Sequence, residues 1–199
     1  FSPDGRTVVY DALQGEQRTL YFTRPESPES KPFEFAGAIA SISRSDDLGI
    51  LQPDAGEVRP AFGTLATVPM AGGTPRPLVE HVVYAGADWA PDGKSLAVVR
   101  FVGGNRRLEF PVGKVLVPDN VIAARFSPDG DRIAFFRFVK AAVAVEVIDK
   151  TGNSERVLSG VWNGCNGVPC SNAGGRKIVF TAPSPGLRPA LAALVSPCR

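Results

Sequence analysis

Trp89-Ala90-Pro91-Asp92-Gly93-Lys94-Ser95-Leu96-Ala97-Val98-Val99 reads as an aromatic residue, a small residue, the turn tripeptide Pro-Asp-Gly, two polar residues and an apolar run. Nearly the same phrase stands at Phe1-Ser2-Pro3-Asp4-Gly5-Arg6-Thr7-Val8-Val9-Tyr10 and at Phe126-Ser127-Pro128-Asp129-Gly130-Asp131-Arg132-Ile133-Ala134-Phe135-Phe136. Pro presets φ for the first corner of a tight turn, Asp can bond its own downstream backbone, and Gly takes the positive φ that closes a hairpin. Each phrase is therefore a hairpin tip, with the aromatic ending one strand and the apolar run beginning the next.

Two degenerate copies complete the series: Ala40-Ser41-Ile42-Ser43-Arg44-Ser45-Asp46-Asp47 and Ser171-Asn172-Ala173-Gly174-Gly175. Alignment on Ser2, Ser43, Ala90, Ser127 and Ser171 gives intervals of 41, 47, 37 and 44 residues. Their mean, about 42, is the length of one four-stranded propeller blade.

The remainder of each period supplies further strands. A second run appears as Arg18-Thr19-Leu20-Tyr21-Phe22, Thr64-Leu65-Ala66-Thr67-Val68, Arg107-Leu108-Glu109-Phe110 and Val143-Ala144-Val145-Glu146-Val147-Ile148. A third follows as Pro32-Phe33-Glu34-Phe35, Pro77-Leu78-Val79, Lys114-Val115-Leu116-Val117 and Arg156-Val157-Leu158. No window sustains a helical period, so the chain reads as all-β. Runs such as Ile133-Ala134-Phe135-Phe136-Arg137-Phe138-Val139 are nearly continuous in apolar character, as expected of a sheet buried on both faces. A β-sandwich of seven to nine strands would not explain why one turn returns at this period. The expected fold is a β-propeller of four-stranded antiparallel blades. Its units lie near residues 1–38, 39–86, 87–123, 124–167 and 168–199. That is about four and a half blades, which reads as a segment of a longer propeller whose open faces would favour self-association.

The 22 basic and 20 acidic residues are scattered, and the densest basic spot is the pair Arg106-Arg107. This pattern does not indicate nucleic-acid binding. No stretch approaches the roughly 18 apolar residues of a membrane span, so no membrane insertion by this segment is expected. Three cysteines, Cys165, Cys170 and Cys198, do not make a disulfide framework, although a Cys165–Cys170 bridge is conceivable within its Gly/Asn-rich loop. With His81 the single histidine, neither a zinc site nor a hydrolase base is well supplied, and no cofactor or metal is expected.

Asp47-Leu48-Gly49 matches a kinase tripeptide without the accompanying kinase motifs, and Gly93-Lys94-Ser95-Leu96-Ala97 lacks the last glycine of a nucleophile elbow. Both read as turn chemistry, and no catalytic residue is expected. Asp4, Asp92 and Asp129 read as turn caps, since a calcium loop needs carboxylates at alternate positions. Trp89 and Phe126 occupy equivalent places and read as packing between blades. Arg100 and Arg137 each stand seven residues past a tip glycine. Guanidinium groups at equivalent heights on adjacent blades could grip a carboxylate or phosphate. The alternative is a pair of strand ends, each neutralised by a local carboxylate.

The Ser-Pro-Asp-Gly and Ala-Pro-Asp-Gly units resemble the TolB-like, WD-repeat-like β-propellers of bacteria along essentially the whole chain. Residues 68–76 (VPMAGGTPR), 88–100 (DWAPDGKSLAVVR) and 107–116 (RLEFPVGKVL) resemble more narrowly the C-terminal propeller of bacterial eukaryotic-type serine/threonine protein kinases. The resemblance implies a non-catalytic binding or sensor module in a periplasmic or extracytoplasmic setting, with a protein or small-molecule ligand. The alternatives are a TolB-type periplasmic protein-binding scaffold and the substrate-gating propeller of a prolyl-oligopeptidase-like peptidase.

Overall fold

The computed structural model describes residues 1–14, 17–53, 62–140 and 142–153, and the strand backbone of 155–157, 166–171, 178–182 and 190–194. A first sheet holds β1 (Val8–Gln14), β2 (Gln17–Arg24) and β3 (Ser27–Ala36). A second joins β4 (Ala38–Ile42), β5 (Asp47–Pro53), β6 (Phe62–Pro69), β7 (Arg76–Trp89), β8 (Leu96–Val102), β9 (Asn105–Glu109) and β10 (Val115–Val117) in chain order. A third contains β11 (Val121–Phe126), β12 (Arg132–Val139), β13 (Ala142–Asp149) and β14 (Glu155–Val157). The last has β15 (Asn166–Ser171), β16 (Ile178–Ala182) and β17 (Ala190–Leu194). Strand pairing is antiparallel in every sheet.

The seven-stranded sheet is two four-stranded layers sharing β7. Residues 76–83 of β7 pair with β6 and residues 82–89 with β8. The bend falls where His81 and Ala85 take φ of 58° and 60°. Sequence reading separates Pro77-Leu78-Val79 from Ala87-Asp88-Trp89; the structure runs them together, because Val82 and Val83 between them are buried and hold the chain in the core. Hence β7 is the outer strand of one layer and the inner strand of the next. The inner strands β4, β7, β11 and β15 follow one another around a common centre, β7 touching β4 and β11, and β11 touching β15.

Among the described residues, apolar clusters fill the gaps between the first four layers. Val9 and Leu20 of the first layer meet Leu48, Ile50, Ala66 and Val68 of the second. Ala38, Ala40, Leu51 and Leu65 then meet Val82, Ala87, Leu96 and Val98 of the third. The third layer's other face, with Ala97, Val99 and Leu108, packs on Ile133, Phe135 and Ile148 of the fourth. Middle layers thus bury both faces, which is why Leu48–Leu51 and Leu96–Val99 are buried without alternation. Trp89 lies over Gly49 of the preceding layer, where a Cβ would stand 3.3 Å from the indole Nε1. Phe126, at the equivalent place, meets Phe110 edge-on at 5.0 Å between ring centres.

The tips form as the Pro-Asp-Gly chemistry dictates. The N–H groups of Gly5, Gly93 and Gly130 donate to the carbonyls of Ser2, Ala90 and Ser127, each at 2.9 Å. The three glycines have φ of +71°, +68° and +76°. In the degenerate second copy Asp46 takes φ 61°, and the turn is one residue shorter, Ser43 N–H bonding the Asp47 carbonyl at 2.8 Å. Neighbouring tips touch: a Cβ on Gly130 would stand 3.1 Å from Pro91 Cδ, one on Gly93 3.2 Å from Ser45 Oγ, and one on Gly5 would meet nothing within 4 Å. Left-handed backbone costs a non-glycine residue about 1–2 kcal/mol, and overpacking adds about 1–3. Gly130→Ala should therefore lower stability in urea unfolding by about 2–5 kcal/mol and Gly5→Ala by about 1–2. Equal losses would show that tip-to-tip contact contributes nothing.

Candidate functional site

Arg100 lies on β8 and Arg137 on β12, and each engages a carboxylate two residues along the neighbouring strand's register. Arg100 Nη1 is 3.5 Å from Glu109 Oε1, and Arg137 Nη1 donates to Glu146 Oε2 at 3.1 Å. Arg137 Nη2 also donates to Asp119 Oδ1 at 3.2 Å, while Arg100 Nε donates to the Glu80 carbonyl at 3.1 Å. Register explains the likeness: Arg100 pairs with Arg107 and Val98 with Glu109, while Arg137 pairs with Ala144 and Phe135 with Glu146. Both glutamates are buried. The two arginines stand on different layers, each on its own carboxylate.

Glu109 carries a further load. Arg107 Nε donates to its Oε1 at 2.6 Å, and the Gly113 N–H to its Oε2 at 2.8 Å. Burial pushes the Glu109 carboxyl up, but the Gly113 N–H and the two guanidinium groups outweigh it and leave the group below its ordinary range.

Around the centre, β11 contributes Arg125. Its Nη1 reaches the carbonyls of Ala85 at 3.3 Å, Ala87 at 3.0 Å and Ala124 at 2.7 Å, and its Nη2 that of Ala40 at 3.0 Å. One side chain thereby ties β4, β7 and β11, the inner strands of three successive layers. Beside it, Asp88 Oδ2 accepts the Phe126 N–H at 2.8 Å. Burial raises the Asp88 carboxyl above its ordinary range, and the Arg125 charge pulls it part of the way back. A similar tie joins the first two layers, where Asp11 Oδ1 accepts the Ile39 N–H at 3.1 Å.

A groove of about 450 Å³ opens between the first layer and the β6–β7 turn. Its apolar wall is Phe22, Phe33, Phe35 and Met70, and its rim carries Thr7, Arg24 and Glu34. The phenyl rings are packed in a row, Phe22 to Phe33 and Phe33 to Phe35 each 5.1 Å between centres. Ring packing, tilted between Phe22 and Phe33 and stacked between Phe33 and Phe35, fixes this wall, and the unbranched Met70 can adapt to an occupant. Arg24 is exposed, with its Nε on Thr7 Oγ1 at 3.4 Å.

Among solved structures the chain is similar to TolB from Acinetobacter baumannii, with a TM-score of 0.77 and 17% identity over 97% of this chain and 50% of that one. The fold is a TolB-like β-propeller. A TolB-assigned protein from Agrobacterium tumefaciens gives 0.76 and 20% identity over 94% of this propeller and 69% of that chain. The tricorn protease gives 0.66 and 20% identity, covering 90% of this chain and 20% of the protease. This propeller chain thus spans about half the length of the Acinetobacter protein. No family model and no curated protein matches the sequence.

The propeller's tip aspartates serve its turns. Asp4 Oδ1 accepts the Ser2 hydroxyl at 2.5 Å and the Arg6 N–H at 2.9 Å. Asp92 accepts the N–H groups of Lys94 and Ser95 at 2.8 and 2.9 Å, and Asp129 accepts the Ser127 hydroxyl at 2.5 Å. These bonds favour the charged form and hold all three carboxyls below the ordinary range. Cys165, Cys198 and the fifth tip at residues 172–175 lie outside the described residues, as does the side chain of Cys170. Sequence reading missed Arg125, Asp88 and the groove. Arg125 and Asp88 bond residues 38 or more away in the chain, and the groove closes only when Met70 of the second layer meets the first, so no local spacing marks them.

Proposed function

We propose that this propeller is a non-catalytic binding scaffold that docks a protein partner in the groove between its first two layers. The carrying observation is the groove itself, a row of three phenylalanines faced by a methionine and rimmed by an arginine and a glutamate. Aromatic and Met side chains beside Arg are the composition of interface anchors. The volume admits one or two side chains of an inserted segment, and ligand sites of this size are ordinary. The preferred occupant is an extended peptide with an aromatic or aliphatic anchor for the phenylalanine row and a nearby carboxylate for Arg24.

The resemblance to TolB-like propellers supports a scaffold in an extracytoplasmic setting. The similarity to the TolB structures supports the scaffold reading and adds nothing to the serine/threonine kinase attachment implied by residues 68–76, 88–100 and 107–116, so the scaffold reading is preferred. A gating role beside a peptidase domain would require a hydrolase nucleophile motif in the adjoining coding sequence.

Panning a random peptide library on the immobilised protein tests the proposal. Enrichment of peptides pairing an apolar anchor with an acidic residue is expected, with loss of that enrichment in Phe33→Glu and in Arg24→Glu, whose side chain is exposed and outside the core. Enrichment that survives both substitutions, or none with the parent protein, would refute the groove.

A further inference from the structure

We propose that Arg100 and Arg107 hold a small oxyanion, a carboxylate or a phosphate, at the end of the third layer opposite the tips. This site is separate from the groove and stands without the scaffold reading. The argument begins with register. Arg100 and Arg107 are directly opposite each other on β8 and β9. Like charges so placed destabilise a sheet unless a counter-ion lies between them. Glu109 partly answers, being fully buried and sharing its Oε1 between Arg107 Nε at 2.6 Å and Arg100 Nη1 at 3.5 Å. Its Oε2 is taken by the Gly113 N–H at 2.8 Å. Among the described residues Glu109 is the acid within 4.0 Å of either guanidinium, so two positive charges share one negative.

The next layer provides an internal comparison. There the arginine, Arg137, faces Ala144 and has two carboxylates, Glu146 and Asp119, at 3.1 and 3.2 Å. Equivalent register places Glu80 where Asp119 stands, since Val82 pairs with Arg100 as Val121 pairs with Arg137. Yet Arg100 takes the Glu80 carbonyl, and the Glu80 side chain is exposed. The third layer has therefore gained a cation and engaged one acid fewer. The Arg100 and Arg107 side chains are 23% and 28% exposed, which leaves them within reach of an incoming anion. Glu109 fixes both from below, and forked N–H donors match the paired oxygens of a carboxylate or phosphate.

The test titrates the protein at low ionic strength with sodium phosphate and, separately, sodium acetate, followed by backbone amide shifts. Saturable binding in the millimolar range is expected, centred on β8 and β9. Phosphate clearly tighter than acetate would mark a phosphate ligand; comparable affinities would mark the carboxylate of a peptide or metabolite. Arg107→Gln should weaken binding about tenfold, Arg107→Lys less, and Glu80→Gln, whose exposed carboxylate engages neither guanidinium, should change it little. Lys150→Gln, an equal change of net charge at the tip end, should leave affinity unchanged. Each variant is first shown to melt cooperatively. Failure of both anions to saturate, or equal weakening by Lys150→Gln and Arg107→Gln, would overturn the proposal.

Discussion

Glu109→Ala should destabilise the protein by about 3–5 kcal/mol, because removing one partner of a buried ion pair leaves the other uncompensated. Here the loss strands two guanidinium groups, Arg100 and Arg107, facing each other across β8 and β9, together with the Gly113 N–H. For a domain of this size the melting temperature should fall by about 10 °C. Glu109→Gln keeps the shape but loses the charge and one of the two acceptors, since its amide NH2 must face either Arg107 or the Gly113 N–H, and should still cost less than the alanine. The sign of the pH dependence follows from the lowered carboxyl. A folded-state value below the unfolded one gives stability that is complete above the unfolded range and lost as pH falls through the folded value. Glu109→Gln should therefore lose less stability than the parent between pH 5 and pH 2 in urea melts, because the glutamate's share of the acid limb is absent. If Glu109→Ala costs under about 1 kcal/mol, the cluster is a solvated strand end and not a buried junction.

What the sequence makes legible is the local part of this fold. Proline, aspartate and glycine at Pro91-Asp92-Gly93 write a turn that three residues suffice to specify, and the aromatic before it and apolar run after it fix both flanking strands. The shared strand β7 was harder. His81 and Asn120, at corresponding bends with φ of 58° and 59°, are residue types suited to left-handed backbone, but Ala85, at φ 60°, carries no such signal. The charged junction did leave a trace. Arg107 and Glu109 are two apart, which on a strand puts them on one face, so noting Arg106-Arg107 only as the densest basic spot overlooked that Arg107 shares its face with a carboxylate. The groove and the central arginine left none. Their parts come from separate layers, and their meeting is decided by how the layers are arranged around the centre.

Arg125→Met should cost about 3–4 kcal/mol, since it removes the donor to four carbonyls on β4, β7 and β11 while retaining much of the stem. Among the described residues no apolar cluster joins β4, β7 and β11 together; Arg125 does, by backbone carbonyls, so its loss should loosen the inner ring more than any single sheet. Amide exchange in the variant should accelerate at β4, β7 and β11 and change little at β2 and β13. A second effect separates this reading from simple loss of hydrogen bonds. Asp88 already has its carboxyl raised by burial, with the Arg125 charge countering it. Without Arg125 the carboxyl should rise further, and a raised folded value means that stability improves as pH falls toward the unfolded carboxylate range. The deficit of Arg125→Met should therefore be smaller at pH 5 than at pH 7, and Asp88→Asn in the same background should abolish that difference. A deficit identical at both pH values would show that Arg125 acts on the carbonyls alone, with Asp88 held by the Phe126 N–H irrespective of its neighbour.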